Sequence, residues 1–403
     1  AAEVFTHLST RKGMELLEIF SDRQLSDVMS NLEPDDRVSL LEELPGHLTQ
    51  MVLNSMKPED QDLMRNLLGY PAESIGRLMT TRYVKVKSDW NVAKSMEHIR
   101  LYGVTAETVN VIYVVDEQEK LIDDLKLNQL ILADPQALIK ELMDHRFYAL
   151  RAFDDQEEAV RMLSKYDRIA LPVVDSDGVL VGIVTVDDVI DVAEEEATED
   201  MHLMAGMNAL ENTYSQTTVL TMVRKRIGWL MVLFLGQMLT VTVMATYGNV
   251  LAAAAILSFF IPMIISSGGN SGSQAATLII RAISTDDIRL QEWRMVLGRE
   301  LLSGFLLGLL VGVGGAVVTG TWMVLNGEPP GTVMALKAGT IGLSLLGVVL
   351  FGNLSGSMLP FLMSKLGLDP AVTSAPFVAT LVDVTGIVIY FTIALTLLSG
   401  VLL

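Results

Sequence analysis

Five apolar segments, at about 227–247, 251–280, 297–325, 334–363 and 371–402, constrain this chain more than any other feature. Each is long enough to cross a hydrocarbon core of roughly 30 Å as a helix. In lipid every backbone polar group must be satisfied internally, so five transmembrane helices are expected. Charge divides the chain at the same point. Residues 1–226 carry 23 Lys/Arg and 41 Asp/Glu, and residues 227–403 carry 6 and 7. The sequence therefore reads as an acidic soluble part joined to a lipid-embedded part. The acid excess argues against nucleic acid as a partner, because phosphate binding needs a basic face. It suits a cation-binding domain or a merely solvated surface. With no cysteine, disulfides, zinc–thiolate sites and thiol catalysis are excluded.

Basic residues orient the segments. Arg224, Lys225 and Arg226 precede the first; Arg281, Arg289, Arg294 and Arg299 surround the link between the second and third; Lys365 lies between the fourth and fifth. The loops at 247–250 and 326–332 have no Lys or Arg. The positive-inside rule then puts the N-terminal part in the cytoplasm and the C-terminus outside the cell membrane. No N-terminal stretch resembles a signal peptide. The chain starts at Ala1 and not at Met, so a truncated or processed start is expected.

Residues 1–70 read as an acidic domain of short amphipathic helices with a weak repeat. Leu32-Glu-Pro34-Asp-Asp36 recurs as Met56-Lys-Pro58-Glu-Asp60, and Pro followed by acids is helix-start chemistry. A clearer duplication fills 75–138 and 139–192. Leu78-Met79 recurs as Leu142-Met143, and Val114-Val115-Asp116 as Val173-Val174-Asp175. Each half predicts strand, helix, strand, turn, strand, helix. Leu171-Pro-Val-Val-Asp175 followed by Gly182-Ile-Val-Thr185-Val-Asp-Asp188 is similar to a CBS domain, so the two halves resemble a tandem CBS pair. That resemblance implies a nucleotide, ATP, at Thr185 and Asp188. The first half departs from the pattern, with Lys126 and Gln129 at those positions and Asp123 where the glycine should be.

Residues 187–222 predict one long helix, whose part from 193 to 223 connects the soluble and membrane parts. Spacings of three and four bring Asp188, Asp191 and Glu195, and likewise Glu196, Glu199 and Asp200, near common faces. Such carboxylates repel unless they are solvated or bind a cation. In the transmembrane domain, 224–403, Asp383 stands alone in the apolar run 376–403, with no acidic or basic residue after it. A carboxylate at membrane depth is costly and marks a cation or proton path. The second segment carries Pro262-Met-Ile-Ile-Ser-Ser-Gly268-Gly269-Asn270-Ser-Gly272-Ser-Gln274. This predicts a broken helix whose freed carbonyls, with Asn270 and Gln274, would offer neutral oxygens to a hydrated cation. Gly304, Gly308 and Gly312, and Gly352 and Gly356, predict close helix packing.

The order of acidic helical domain, CBS pair, acidic helix and five spans resembles the MgtE family of magnesium channels over essentially the whole chain. The specific motifs are Pro262…Gly268-Gly269-Asn270 and Ala379-Thr-Leu-Val-Asp383-Val-Thr-Gly386. The resemblance implies a multidomain homodimer in the cell membrane, with the second and fifth spans lining one pore and Asp383 facing its symmetry mate. It also implies closure by Mg²⁺ at cytoplasmic carboxylates, which by position are Asp155, Glu157, Asp167, Asp188, Asp191, Glu196, Glu199 and Asp200. N-domain ligands are not assigned. The alternatives are a Mg²⁺ exchanger coupled to Na⁺ or H⁺ and a non-conducting, membrane-anchored Mg²⁺ sensor. An enzyme is not expected: there is no P-loop or nucleophile elbow, and the five histidines are scattered.

Overall fold

Short amphipathic helices bury little surface alone, and the first unit solves this by stacking them. The computed structural model describes residues 19–210, 217–248 and 255–399, together with Lys12, Leu16, Leu17, Tyr214, Ser215 and Val250. The opening of the N-terminal domain and the start of the second apolar segment lie outside these residues. The chain forms two compact units, residues 1–195 and 196–403.

In the first unit, helices α1 (Asp22–Asn31), α2 (Pro34–Glu43), α3 (Gly46–Ser55) and α4 (Pro58–Leu67) each run ten residues. Ser21 caps α1 through a capping box with Gln24. Pro34 and Pro58 sit in the first turns of α2 and α4, followed by acids, as the repeat predicts. The two copies then diverge. Asp60 of the second pairs with buried Arg37 at 3.0 Å, whereas Asp35 of the first, which aligns with Glu59, turns to another domain.

The duplicated module follows as two matching halves. The first holds α5 (Ile75–Leu78), β1 (Lys85–Lys87), α6 (Val92–Tyr102), β2 (Val111–Val115), β3 (Leu121–Lys126) and α7 (Leu127–Leu132). The second holds α8 (Ile139–Leu142), β4 (Leu150–Arg151), α9 (Gln156–Tyr166), β5 (Ala170–Val174) and β6 (Leu180–Thr185). β1 is parallel to β2 and β2 antiparallel to β3; β4, β5 and β6 repeat this order. Both sheets shift register at the repeated Val-Val pair, Val114/Val115 and Val173/Val174. The two hairpins bond reciprocally, Leu121 N to Gly178 O and Leu180 N to Glu119 O, each at 3.1 Å. That is pseudo-two-fold pairing. Gly178 and Glu119 occupy equivalent left-handed positions, φ 83° and 64°; glycine adopts this freely, whereas glutamate is strained. One apolar core runs from α1–α4 into the second half, joining Leu48, Val52 and Met64 with Leu171, Val173 and Val184.

α10 (Val186–Met204) leaves β6 and carries the acidic run. The expected single helix to 222 is not formed: α10 stops at Met204. Gly206, with φ 74°, accepts the left-handed turn, and Met207 N bonds His202 O at 3.1 Å while Gly206 N bonds Leu203 O at 2.8 Å. These two bonds are a Schellman stop.

The second unit holds α11 (Val219–Thr246), α12 (Ile261–Ser284), α13 (Trp293–Leu325), α14 (Thr332–Lys365) and α15 (Ala375–Leu398). Among the described residues four helices are long and apolar enough to cross a membrane, namely α11, α13, α14 and α15. The fifth, α12, spans about 36 Å at 1.5 Å per residue, but Ser266, Ser267, Asn270, Ser271, Ser273 and Gln274 make its middle polar. α12 also corrects the predicted break, because it is continuous from Ile261 to Ser284. Pro262 lies in its first turn, where a missing N–H costs nothing. Its glycines serve contact. A Cβ on Gly272 would lie 2.9 Å from the carbonyl oxygen of Gly352, and one on Gly356 would fall onto the Gly272 carbonyl. Gly308 and Gly312 of α13 press on the Leu346 and Gly342 carbonyls of α14 in the same way, as their spacing predicts.

Candidate cation sites

Asp383 is half-buried on α15. Helix register sets its surroundings. Val378, Ala379 and Val382, on the turns before it, pack against Gly272, Gly269 and Gly268 of α12. Thr380 meets Gly236 of α11 at 3.0 Å from the position of a Cβ. One residue on, Gln237 Nε2 donates to Asp383 Oδ2 at 2.6 Å. The structure thus brings Gly268 and Gly269 against the helix of Asp383. Pro262, Asn270 and Gln274 are exposed on another face of α12, at four-residue spacing with exposed Ser266. The helical ladder of α12 keeps its own carbonyls occupied, so the neutral oxygens expected from a broken backbone are not free there. The side chains of that polar stripe are what remain.

A second concentration of carboxylates lies in the first unit, where α2 and α10 both begin. Asp35 and Asp36 occupy the first turn of α2 after Glu33 at its cap, and Asp187 and Asp188 occupy the first turn of α10. Asp188 Oδ2 accepts from Thr185 Oγ1 at 2.6 Å, and the Asp188 carboxyl also meets that of Asp35. Asp35 Oδ1 is buried without a hydrogen-bond partner. Burial, and then the charge of Asp188, push the Asp35 carboxyl up to about 8. Burial also raises Asp188 and Glu33, the latter against Arg82 at 3.8 Å. Two helix N-termini favour negative charge here by roughly 0.3–1 kcal/mol each, less than burial of like charges opposes it. The cluster thus calls for a proton or a cation. Asp35 escaped the sequence reading because Pro34-Asp35-Asp36 looks like helix-start chemistry alone.

The other predicted carboxylates are dispersed. Asp155 caps α9, accepting from Glu157 N at 2.9 Å. Asp167 ends the same helix in the left-handed conformation, φ 49°. Both are exposed, as is Asp191. Glu196, Glu199 and Asp200 share the later turns of α10. Asp200 accepts from Ser284 Oγ at 2.8 Å at the end of α12; burial raises its pKa, and Ser284 opposes that rise. Among the described residues no three His, Cys, Asp or Glu side chains form a ready cage for a bare metal ion. A hydrated Mg²⁺ needs only one or two carboxylates, which the Asp35–Asp188 pair supplies.

Comparison with known proteins bears on the whole chain. Residues 261–393 match a family described as divalent cation transporter (MgtE), residues 1–73 the MgtE intracellular N domain, and residues 139–195 the CBS domain. The magnesium transporter MgtE of Thermus thermophilus is 39% identical over 405 residues, covering 100% of this chain and 88% of the relative. The magnesium transporter MgtE of Bacillus subtilis is 32% identical over 366 residues, 91% of this chain and 79% of the relative. Among solved structures, the cytosolic domain of the Mg²⁺ channel MgtE in complex with ATP aligns over 48% of this chain and 79% of its own, with 37% identity and a TM-score of 0.46.

Proposed function

This chain belongs to the MgtE family, with its N-terminal domain, CBS pair and helical C-terminal region, and we propose that it is a Mg²⁺-selective channel for uptake across the cell membrane. Magnesium transport follows from membership; conduction through a pore, closure by cytoplasmic Mg²⁺ and the residues that do each are our reading. The observation that carries it is Asp383, a lone carboxylate on an apolar helix beside the glycine-packed α12.

Five crossings, with α12 as the second, leave the C-terminus outside. The exposed stripe Ser266, Asn270 and Gln274 is too polar to face lipid and supports a water-filled path covered by a second copy. In such a homodimer Asp383 is doubled. Mg²⁺ sheds water reluctantly, so the carboxylates act on a largely hydrated ion, as acceptors for its waters.

On the cytoplasmic side, Asp35 with Asp188 forms the best-supported sensor position, with Asp155, Glu157, Asp167, Asp191, Glu196, Glu199 and Asp200 as further carboxylates. Mg²⁺ between the starts of α2 and α10 replaces the proton that burial otherwise requires. That ties the N-terminal domain to the CBS pair and to α10, and we assign channel closure to this tightening. ATP at the CBS pair is a proposal supported by the Thr185–Asp188 hydrogen bond.

The test is Mg²⁺ influx into vesicles containing the full chain, with no Na⁺ or pH gradient and with Mg²⁺ varied on the cytoplasmic side. Flux driven by the Mg²⁺ gradient alone, and suppressed as cytoplasmic Mg²⁺ rises, is expected. A need for a Na⁺ or H⁺ gradient would identify an exchanger, and Mg²⁺ binding without influx a non-conducting sensor.

A further inference from the structure

Gln237 is the one amide side chain in α11, within the run Ile227–Thr246 that otherwise holds only apolar, glycine and threonine residues after Trp229. An amide at membrane depth is costly unless it finds a partner. Its partner lies 146 residues away: Nε2 donates to Asp383 Oδ2 at 2.6 Å. A carboxylate only accepts, so the amide N–H and not its carbonyl must face Asp383. Two neighbouring contacts hold the register. Gly236 lets α11 approach Thr380 closely, and Trp229 Nε1, two turns earlier, donates to Ser374 Oγ at 3.0 Å, the residue that caps α15.

We infer that Gln237 is a specificity-determining positioning residue that turns the Asp383 carboxylate into a one-oxygen acceptor. The inference rests on the reading of Asp383 as the pore carboxylate. Divalent ions differ in how they use carboxylates. Ca²⁺ loses water readily and takes both oxygens of one group; Mg²⁺ keeps its waters and contacts few protein oxygens. With an amide hydrogen on Oδ2, two-oxygen chelation has to compete with a charge-assisted hydrogen bond. Oδ1 is left for a water of the hydrated ion. Gln237 therefore works against Ca²⁺ more than against Mg²⁺.

The experiment compares initial Mg²⁺ and Ca²⁺ influx into vesicles carrying the full chain as wild type, Gln237→Leu, Gln237→Met and Asp383→Asn. Leu and Met both remove the donor at similar volume without adding a charge. Both raise the Ca²⁺-to-Mg²⁺ influx ratio on the order of tenfold, as loss of a hydrogen bond to a charged group implies, while Asp383→Asn loses Mg²⁺ influx. The ratio is insensitive to the amount of folded protein, so a purely structural role would lower both fluxes together and leave it fixed. An unchanged ratio in both Gln237 variants, with Asp383→Asn inactive, overturns the role of Gln237 and spares the pore. Wild-type Mg²⁺ influx in Asp383→Asn overturns the pore reading and this inference with it.

Discussion

Asp35 shows how one side chain can report a binding state. It is buried beside Asp188, Asp36 and Glu33, and its carboxyl is raised to about 8. In the unfolded chain it would titrate near the ordinary 3.8. Below pH 4 both states are protonated and the group is neutral to stability. From pH 4 to 8 only the folded state holds the proton, so stability falls as pH rises and levels off above 8. Without Mg²⁺, hydrogen-exchange protection at 33–43 and 185–192, taken relative to the intrinsic amide rate at each pH, is expected to fall between pH 6 and 8.5. Asp35→Asn should flatten that change, and added Mg²⁺ should reverse it in the wild type; a pH-independent wild type would refute the buried pair. Asp383 was legible in the sequence because a lone charge in an apolar run needs no partner to be noticed. Gln237 and Asp35 were not, because their meaning lies in contacts 146 and 153 residues away along the chain, which no local pattern encodes.

The glycine-bearing helices obey a simpler rule. Gly352 and Gly356 of α14 lie backbone to backbone against Gly268 and Gly272 of α12, whereas Gly314 of α13 has open space where its Cβ would be. Gly356→Val should destabilise the purified protein by more than the ~1–3 kcal/mol typical of overpacking, read as a lower melting temperature, since backbone and not a flexible side chain is displaced. Gly314→Ala should leave stability unchanged or raise it by up to ~1 kcal/mol of helix propensity, with the melting temperature unchanged or higher. Equal effects would mean that the α12–α14 contact is not as close as described. Four-residue glycine spacing was readable as packing in α13 and α14. In α12 the same residues, with Pro262, suggested a broken helix. Proline breaks a helix only past its first turn, and the sequence does not say where that turn falls when a 3₁₀ segment, Ala255–Phe260, precedes it. The stop of α10 at Gly206 was hidden similarly, since acid spacing says which face a helix presents and not where it ends.

At the scale of the molecule, the charge division at residue 226 and the five apolar segments suggested an acidic part and a membrane part; the compact units of the chain, 1–195 and 196–403, divide 31 residues earlier. The duplication was readable in the recurrence of Val114-Val115-Asp116 as Val173-Val174-Asp175, and the structure adds a register shift at each Val-Val pair, which the sequence did not indicate. In the proposed function one ion serves both parts: carboxylates at the starts of α2 and α10 would sense it, and Asp383 would select it. The selecting role is the claim on which the rest depends, and Mg²⁺ influx into vesicles with no Na⁺ or pH gradient, measured for wild type and Asp383→Ala at matched protein content and oligomeric state, tests it most directly. The account predicts that Asp383→Ala abolishes influx while the protein stays folded; influx at the wild-type rate would contradict it.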